Sequence, residues 1–415
     1  MPERLRVRLY DVGFGDAFLV EFPSPGVRPF RVLVDCGSHF LGHPPIDGWS
    51  YDAVVGQIIE DLSDHGDPTL DVIVISHRHQ DHVEGFESEL WSQVHVGQVW
   101  LPWTEGDDAK AKKLRKRIYR STLALDRAFA SESFDRRWPD GEEASALRAM
   151  VRNSLKNDKA MGTLLDDDRF ASGPDDRLFL SLTDPLTVLR PPACPRLKVH
   201  VLGPSREESV IREMDPPDGE SYLRFLPAAN GVPGCAKDGE FVPFGRHFVL
   251  DEATYGVGAL DPDIKAAAAS MMREDDLAAA VAIDKAANGT SLLLVFEFGD
   301  AVLTFPGDAQ WGTWKGAMAV ASDLLARTTF LKIGHHGSHN ATPVSFVESL
   351  VDGELDTAVA SVFPIDAFPE IPRDPILDEL RGRGVRLVVR SDEPGDDEVR
   401  KKVRPGIGID FNVQH

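Results

Sequence analysis

Cysteine is scarce. Cys36, Cys194 and Cys235 are the only three in 415 residues. They are odd in number, far apart and without CxxC spacing, which excludes a disulfide scaffold and a cysteine-based zinc finger. No apolar run approaches the ~18 residues that a membrane span needs. The opening stretch Met1 to Arg8 lacks the apolar segment of a signal peptide, so the expected location is cytoplasmic, with no membrane partner. Positive charge is also short: 45 Lys+Arg face 67 Asp+Glu, a formal charge of −22. Coating of nucleic acid by counterion displacement needs clustered Lys and Arg, so the chain as a whole is not a passive nucleic-acid binder. A nucleic-acid substrate held at a metal site stays open. The sequence has no GxSxG elbow, no Walker A loop and no GxGxxG following a strand. Gly13-Phe14-Gly15-Asp16 is too short for a dinucleotide loop. There is no fixed-period repeat and no low-complexity tract.

What is present is ordinary globular material, 42% apolar and 27% charged, enough for a buried core. The length suits either two domains or one enlarged by insertions. Short apolar runs at 5–10, 17–22 and 30–34 read as strands separated by turn residues. Leu70 to Ile75 (LDVIVI) reads as a strand buried on both faces. Residues 53–62 have helical spacing. From about Thr104 the texture changes to charged, helix-prone sequence, with helices expected over 107–129 and 141–155. Strands return at 197–202. An Ala-rich helix is expected over 275–287, and a hairpin turns at Gly299-Asp300. Further strands are expected over 330–333, 357–362, 385–389 and 407–413. The spacing thus predicts a layered α/β domain interrupted by segments at 104–195, largely helical, and 206–274, irregular.

His77-Arg78-His79-Gln80-Asp81-His82 leaves the end of the apolar strand. Three imidazoles and a carboxylate within six residues form a donor set for Zn²⁺, Mn²⁺ or Fe²⁺. One catalytic ion keeps an open position and does not use all four, whereas two ions about 3.5–4 Å apart share them. Gly307-Asp308 ends another apolar strand. Read alone it is a turn; coupled to the first motif, Asp308 is placed to bridge two ions. His335-His336-Gly337-Ser338-His339 follows a third apolar strand, and at least one of His335 and His336 is expected to be a ligand.

These pieces, with Asp11-Val12-Gly13-Phe14-Gly15-Asp16, Val32-Leu33-Val34-Asp35-Cys36-Gly37 and Asn288-Gly289-Thr290-Ser291, stand in an order that resembles the metallo-β-lactamase superfamily. They are most similar to the metallo-β-lactamase-like domain of the ComEC/Rec2 DNA-uptake proteins and its free-standing relatives. The resemblance covers about 1–103, 197–205 and 288–415. It implies a four-layer αββα sandwich: one hydrolase domain over 1–415, enlarged by the two insertions, with two divalent ions (zinc or manganese, iron possible). By that resemblance His77 and His79 bind the first ion and Asp81 and His82 the second. Asp308 bridges them and His335 completes the second site. Asp35 orients a ligand imidazole, and Asp16 and Asn288 lie near the mouth. His336 contacts a substrate phosphate or donates a proton. Ser338 and His339 are candidate substrate contacts. Phe14 stands where the family usually has Gln. The further histidine ligand of many members has no clear counterpart. His95 and His200 fall inside strands, where a structural role is expected, and His247 lies in an insertion that does not align.

The implied reaction is hydrolysis by a hydroxide activated between two ions, with Asp81 or Asp308 holding the water and accepting its proton. The resemblance points to phosphodiesters, of nucleic acid (single-stranded DNA included) or of a nucleotide. A small ester, lactone or thioester is the alternative substrate. An alternative of another class is a partner-binding module, its insertions serving a protein partner on a metallo-β-lactamase scaffold. Lys110, Lys112, Lys113, Arg115, Lys116, Arg117 and Arg120 cluster on the first inserted helix, either as a substrate surface or as a solvated face bound to the acidic body. Arg400, Lys401, Lys402 and Arg404 form a second basic group, expected to be solvated. Trp91, Trp100, Trp103, Trp311 and Trp314 are candidates for stacking bases or for packing, with Trp103 favoured for a pocket.

Overall fold

The computed structural model describes residues 5–25, 28–39, 49–139, 141–155, 157–174, 176–217, 219–222, 262–338, 340–362, 371–372, 374–389 and 408–413. His247, His339, Cys235 and the basic group at 400–404 lie outside the described residues.

Among the described residues, fourteen strands divide equally between two sheets. The first contains β1 (Leu5–Tyr10), β2 (Phe18–Phe22), β3 (Phe30–Val34), β4 (Thr69–Val74), β5 (His95–Pro102), β6 (Asp176–Leu180) and, at the far edge, β14 (Gly408–Val413), in the order β14-β1-β2-β3-β4-β5-β6. The second contains β7 (Val188–Leu189), β8 (Leu197–Gly203), β9 (Leu293–Phe298), β10 (Ala301–Phe305), β11 (Phe330–Lys332), β12 (Thr357–Val359) and β13 (Arg386–Val388), in the order β13-β12-β11-β10-β9-β8-β7. The sheets follow one plan. Pairing is antiparallel from β14 to β3 and parallel from β3 to β6. It is antiparallel from β7 to β10 and parallel from β10 to β13. No sequence repeat announces this likeness, because the two halves share only burial periodicity.

The helices are α1 (Tyr51–Leu62), α2 (Gln80–Val83), α3 (Ala109–Phe129), α4 (Glu132–Arg137), α5 (Gly141–Asn153), α6 (Asp158–Leu165), α7 (Glu208–Ile211), α8 (Pro262–Asn288), α9 (Trp311–Ala326), α10 (Val344–Ser349) and α11 (Asp374–Gly382). Alternation along the strands sends side chains to both faces. Val72 and Val74 of β4 join Phe18, Val201, Phe296 and Phe305 between the sheets. Ile73 and the following Ile75 join Val54, Ile58 and Leu62 of α1 and Met161 of α6 on the outside. Helices α9, α10 and α11 cover the other sheet. The chain is therefore an αβ sandwich, consistent with the architecture that the motifs implied.

The inserted segments do two jobs. Within 104–195, β6 and β7 extend both sheets. Helices α3, α4 and α5 build a cap with α8: Leu125 and Phe129 of α3, Phe134 of α4, Leu147 and Val151 of α5, and Ala280 and Ile283 of α8 share a separate apolar core. The Phe129 and Phe134 rings stack at 4.4 Å. Arg137 and Trp138 both donate to the Asp276 carboxylate, at 2.9 and 3.0 Å. Helix α8 starts at Pro262, inside the segment expected to be irregular. Two 3-10 turns, Glu84–Glu87 and Glu89–Gln93, lead from α2 to β5.

Candidate metal centre

The candidate residues collect at the carboxyl ends of the parallel strands, where crevices open in α/β sheets. Asp35 follows β3, Ser76 to His82 follow β4, Asp308 follows β10, His335 and His336 follow β11, and Ser361 follows β12. The loops approach closely. A Cβ added at Gly37 would meet Gln80 O at 2.4 Å and the His82 nitrogen at 2.5 Å, and one at Gly307 would meet Ser76 Cβ at 2.7 Å. The non-glycine residues with left-handed backbone among those described are Asp35, His335 and His336, at φ 57°, 45° and 53°. Such conformations cost of order 1–3 kcal/mol each and cluster at functional sites.

Side chains from three separated segments converge. His77, His79, Asp81, His82, Asp308 and His336 are between 0 and 3% exposed. Asp81, His82, Asp308 and His336 each offer one ligand atom, all within 4.8 Å of one another. His82 Nε2 lies 3.3 Å from Asp308 Oδ2 and 3.8 Å from Asp81 Oδ2. His336 Nε2 lies 3.3 Å from Asp81 Oδ2. Two atoms bound at about 2.1 Å to one tetrahedral ion sit roughly 3.4 Å apart, so these separations fit a shared cation. The rings of His77 and His79 stand 4.6 Å apart, and those of His77 and His82 4.2 Å.

Asp16, Asp35 and His82 form a second group with ligand atoms at the same spacing, sharing His82 with the first. Its atoms already have partners. His82 Nδ1 pairs with Asp35 Oδ2 at 2.8 Å, Asp35 Oδ1 accepts from the Ser76 amide at 2.7 Å, and Asp16 Oδ2 meets the Lys332 ammonium at 2.6 Å. This group orients the ligand group: an Nδ1–H donated to a carboxylate leaves Nε2 bare for a cation. His336 is fixed likewise, Nδ1 facing Ser361 O at 2.7 Å, and Phe14 lies against its ring at 4.4 Å. His79 Nε2 meets Ser154 Oγ at 2.8 Å, which leaves Nδ1 for the site.

Several buried atoms facing the centre have no hydrogen-bond partner in the protein: His77 Nε2, Asp81 Oδ1, His82 Nε2, Asp308 Oδ2, His335 Nδ1 and Asp16 Oδ1. Unpaired buried polar atoms are costly, and a donor set of imidazole and carboxylate suits a divalent cation. The electrostatics agree. Burial would lower the His82 basicity, but Asp308, Asp81 and Asp35 outweigh it and hold the imidazole well above its ordinary value. Burial would raise Asp81 and Asp308, yet the surrounding His82, with His336 at Asp81 and His335 at Asp308, holds both well below the carboxylate range. Burial, helped by the neighbouring imidazoles, pushes His77 well down, and burial, aided by His82 and His335, outweighs Asp81 and Asp308 to bring His79 to about 4. Those two are neutral at physiological pH, the form that binds metal.

The remaining predicted residues fall as follows. His335 turns away from His336: its Nε2 is 3.3 Å from Asn288 Nδ2, 3.8 Å from Asp308 Oδ2 and 4.0 Å from Asp284 Oδ2. Asn288 also donates to Asp284 at 3.0 Å. Ser338 donates to Asn340, which donates to Gln310, which donates to the Asp308 carbonyl; this chain braces the two metal-side loops. His95 pairs with Ser172 and His200 with Glu297, both remote from the centre. Trp91, Trp100, Trp103 and Trp314 are fully buried and have no face for a base; Trp103 donates to Ser205 O. On α3, Arg115 ties to the Thr104 and Gly106 carbonyls and Arg117 to Glu208, while Lys113, Lys116 and Arg120 are exposed.

Sequence reasoning missed Asp284, Lys332, Asn153 and Ser154. Two had signals. Asp284 lies four residues before Asn288, on the same helix face, and Lys332 interrupts an apolar strand, where lysine is rare unless paired. Asn153 and Ser154 carried none.

A scan against protein-family models and a search of curated proteins return no match for this chain. The likeness to the metallo-β-lactamase superfamily thus stands on the ordered motifs, the αβ sandwich and the ligand groups.

Proposed function

We propose that this chain is a metal-dependent hydrolase that holds two divalent ions, zinc or manganese, and cleaves phosphodiesters of a nucleotide or nucleic acid. The observation that carries this reading is the convergence of unpaired, fully buried imidazole and carboxylate atoms from three loops on one point. His77 Nε2 and His79 Nδ1 would hold the first ion and Asp81, His82 and His336 the second, with Asp308 placed between the two sets. So held, the ions supply Lewis acidity and make hydroxide available at neutral pH. The chain's own groups do the rest. Asp81 Oδ1, which has no protein partner, accepts the proton of the attacking water. Lys332, 3.4 Å from Asp308 Oδ1, fixes that carboxylate from behind. Phe14 screens His336 from bulk water.

A small cleft lined by Arg78, Glu105, Arg115, Tyr119, Ser154 and Thr290 reaches the shell of the centre through Ser154, its Arg78 paired with Glu105 at 3.4 Å, and the exposed Lys113, Lys116 and Arg120 belong to the helix beside it. The exposed cations of that helix favour an anionic diester. The enclosure of the centre by the cap favours a small substrate over a long strand, and it gives the second reading, a small ester or lactone, its one supporting observation. The test is turnover of bis-(p-nitrophenyl) phosphate, a cyclic dinucleotide, single-stranded DNA and a lactone with Mn²⁺ or Zn²⁺, against Asp81→Ala. Phosphodiester turnover lost in the variant supports the proposal. Lactone turnover alone moves the chain to the second reading. Absence of metal-dependent turnover on every substrate defeats both.

A further inference from the structure

We propose that Asp284, on the inserted helix α8, is a direct ligand of the first ion, alongside His77 Nε2, His79 Nδ1 and Asp308. This rests on the dinuclear reading above and assigns the one position that the motifs leave open. The first ion draws two imidazoles from the loop after β4 and a share of Asp308, one donor fewer than the second. Among the described residues, the histidines lying between the first motif and Asp308 do not reach it: His95 is bound to Ser172 at 3.0 Å and His200 to Glu297 at 2.8 Å. Asp284 does reach it. Its Oδ1 is 3.9 Å from His79 Nδ1, within the roughly 3–4.2 Å that separates two donors on one ion, and its Oδ2 lies 4.0 Å from His335 Nε2.

Three further observations point the same way. His77 Nε2 is wholly buried and unpaired beside this carboxylate's partner His79. Asn288, one helical turn on, donates to Asp284 Oδ2 and leaves Oδ1 facing His79, the support that a ligating carboxylate ordinarily has. Asp284 also gathers with Asp81 and Asp308 about one point, a crowding of carboxylates that a divalent cation relieves. Helix α8 therefore does more than close the cap: the insertion supplies part of the metal site itself.

The experiment is cobalt(II) titration of the full chain, read by visible absorption and elemental analysis, with no substrate present. Wild type is expected to take up about two equivalents. Asp284→Asn, nearly isosteric, is expected to keep about one tight equivalent, with the first ion weakened at least tenfold and its spectral band altered. Asp284→Glu is expected to recover the second equivalent in part, and His95→Ala and His200→Ala to keep two. Near-ultraviolet circular dichroism checks that each variant is folded, and Asp284→Ser replaces Asp284→Asn if that variant is not. Two equivalents at unchanged affinity and spectrum in Asp284→Asn overturn the assignment, as does loss of both ions from a folded variant. Fewer than two equivalents in the wild type defeats the dinuclear reading itself, and is seen before any substitution is made.

Discussion

The centre works residue by residue through atoms whose partners are fixed on one side only. His82 has its Nδ1 committed to Asp35 and His336 its Nδ1 to Ser361, so each presents Nε2. Asp35→Asn removes the charge while keeping the acceptor for the Ser76 amide. Metal affinity is expected to fall about 10–100-fold, measured by competition with a chromogenic chelator. Lys332 is a buried cation between Asp16 at 2.6 Å and Asp308 at 3.4 Å. Lys332→Met leaves two buried carboxylates without their counter-ion, a loss expected to cost about 3–5 kcal/mol in denaturant unfolding of the chelator-treated protein. No such cost would mean that Asp16 and Asp308 are not charged together. Cys36, wholly buried with its thiol pushed up to about 12 by burial and by Asp35, is inert to alkylation in the native state.

At the scale of elements, the cap has a small apolar core of its own beside its ties to the sandwich. Phe134 packs on Phe129 and lies under the Arg148 guanidinium at 4.9 Å. Phe134→Ala is expected to cost about 3 kcal/mol or more and to make the α3–α5 segment the first to be cut in limited proteolysis. Equal resistance in variant and wild type would show that the cap is braced elsewhere. The β8–β9 pair gives a contrasting case. Burial would raise the Glu297 carboxyl, but hydrogen bonds from His200 and Lys198 outweigh it and hold the group below its ordinary value. A depressed carboxyl stabilises the fold above its unfolded value of about 4.3, and that contribution fades as the pH falls through the lower folded value. His200→Ala is expected to cost less than about 1 kcal/mol at pH 7, to narrow its gap to wild type in acid, and to leave metal content unchanged.

For the whole molecule, the candidate metal site spans two sheets. Asp81 and His82 come from the first, Asp308 and His336 from the second, so ions shared among them tie the sandwich across its edge. Chelation is expected to lower the unfolding temperature, and metal at about 1,000 times its Kd to restore roughly 4 kcal/mol, read by thermal unfolding at stepped metal concentrations. An unmoved transition would mean that no ion spans the sheets. The net charge of −22 acquires a local meaning here. Five carboxylates gather at the centre, while exposed lysines and arginine of α3 lie beside the cleft, so field at the mouth differs from the sum over the chain. No helix among the described residues is long and apolar enough to cross a membrane.

The sequence by itself determined the strands and most of the donor set. Burial periodicity is local, and β1 and β3 have the bounds read from their apolar runs. A ligand motif packed into six residues is likewise visible wherever the chain folds. The edge strands β6 and β7 and helix α9 were not legible: β6 and β7 are half-exposed and short, and α9 carries weak apolar contrast between its faces. Only the tertiary structure decided which of two adjacent histidines faces Asp81: His336 Nε2 lies 3.3 Å from it, while His335 Nε2 lies by Asn288 and Asp308. It alone brought Asp284 and Ser154 to the centre. Their places depend on how the inserted helices pack against one another, and packing between segments over a hundred residues apart leaves no pattern in either segment taken alone.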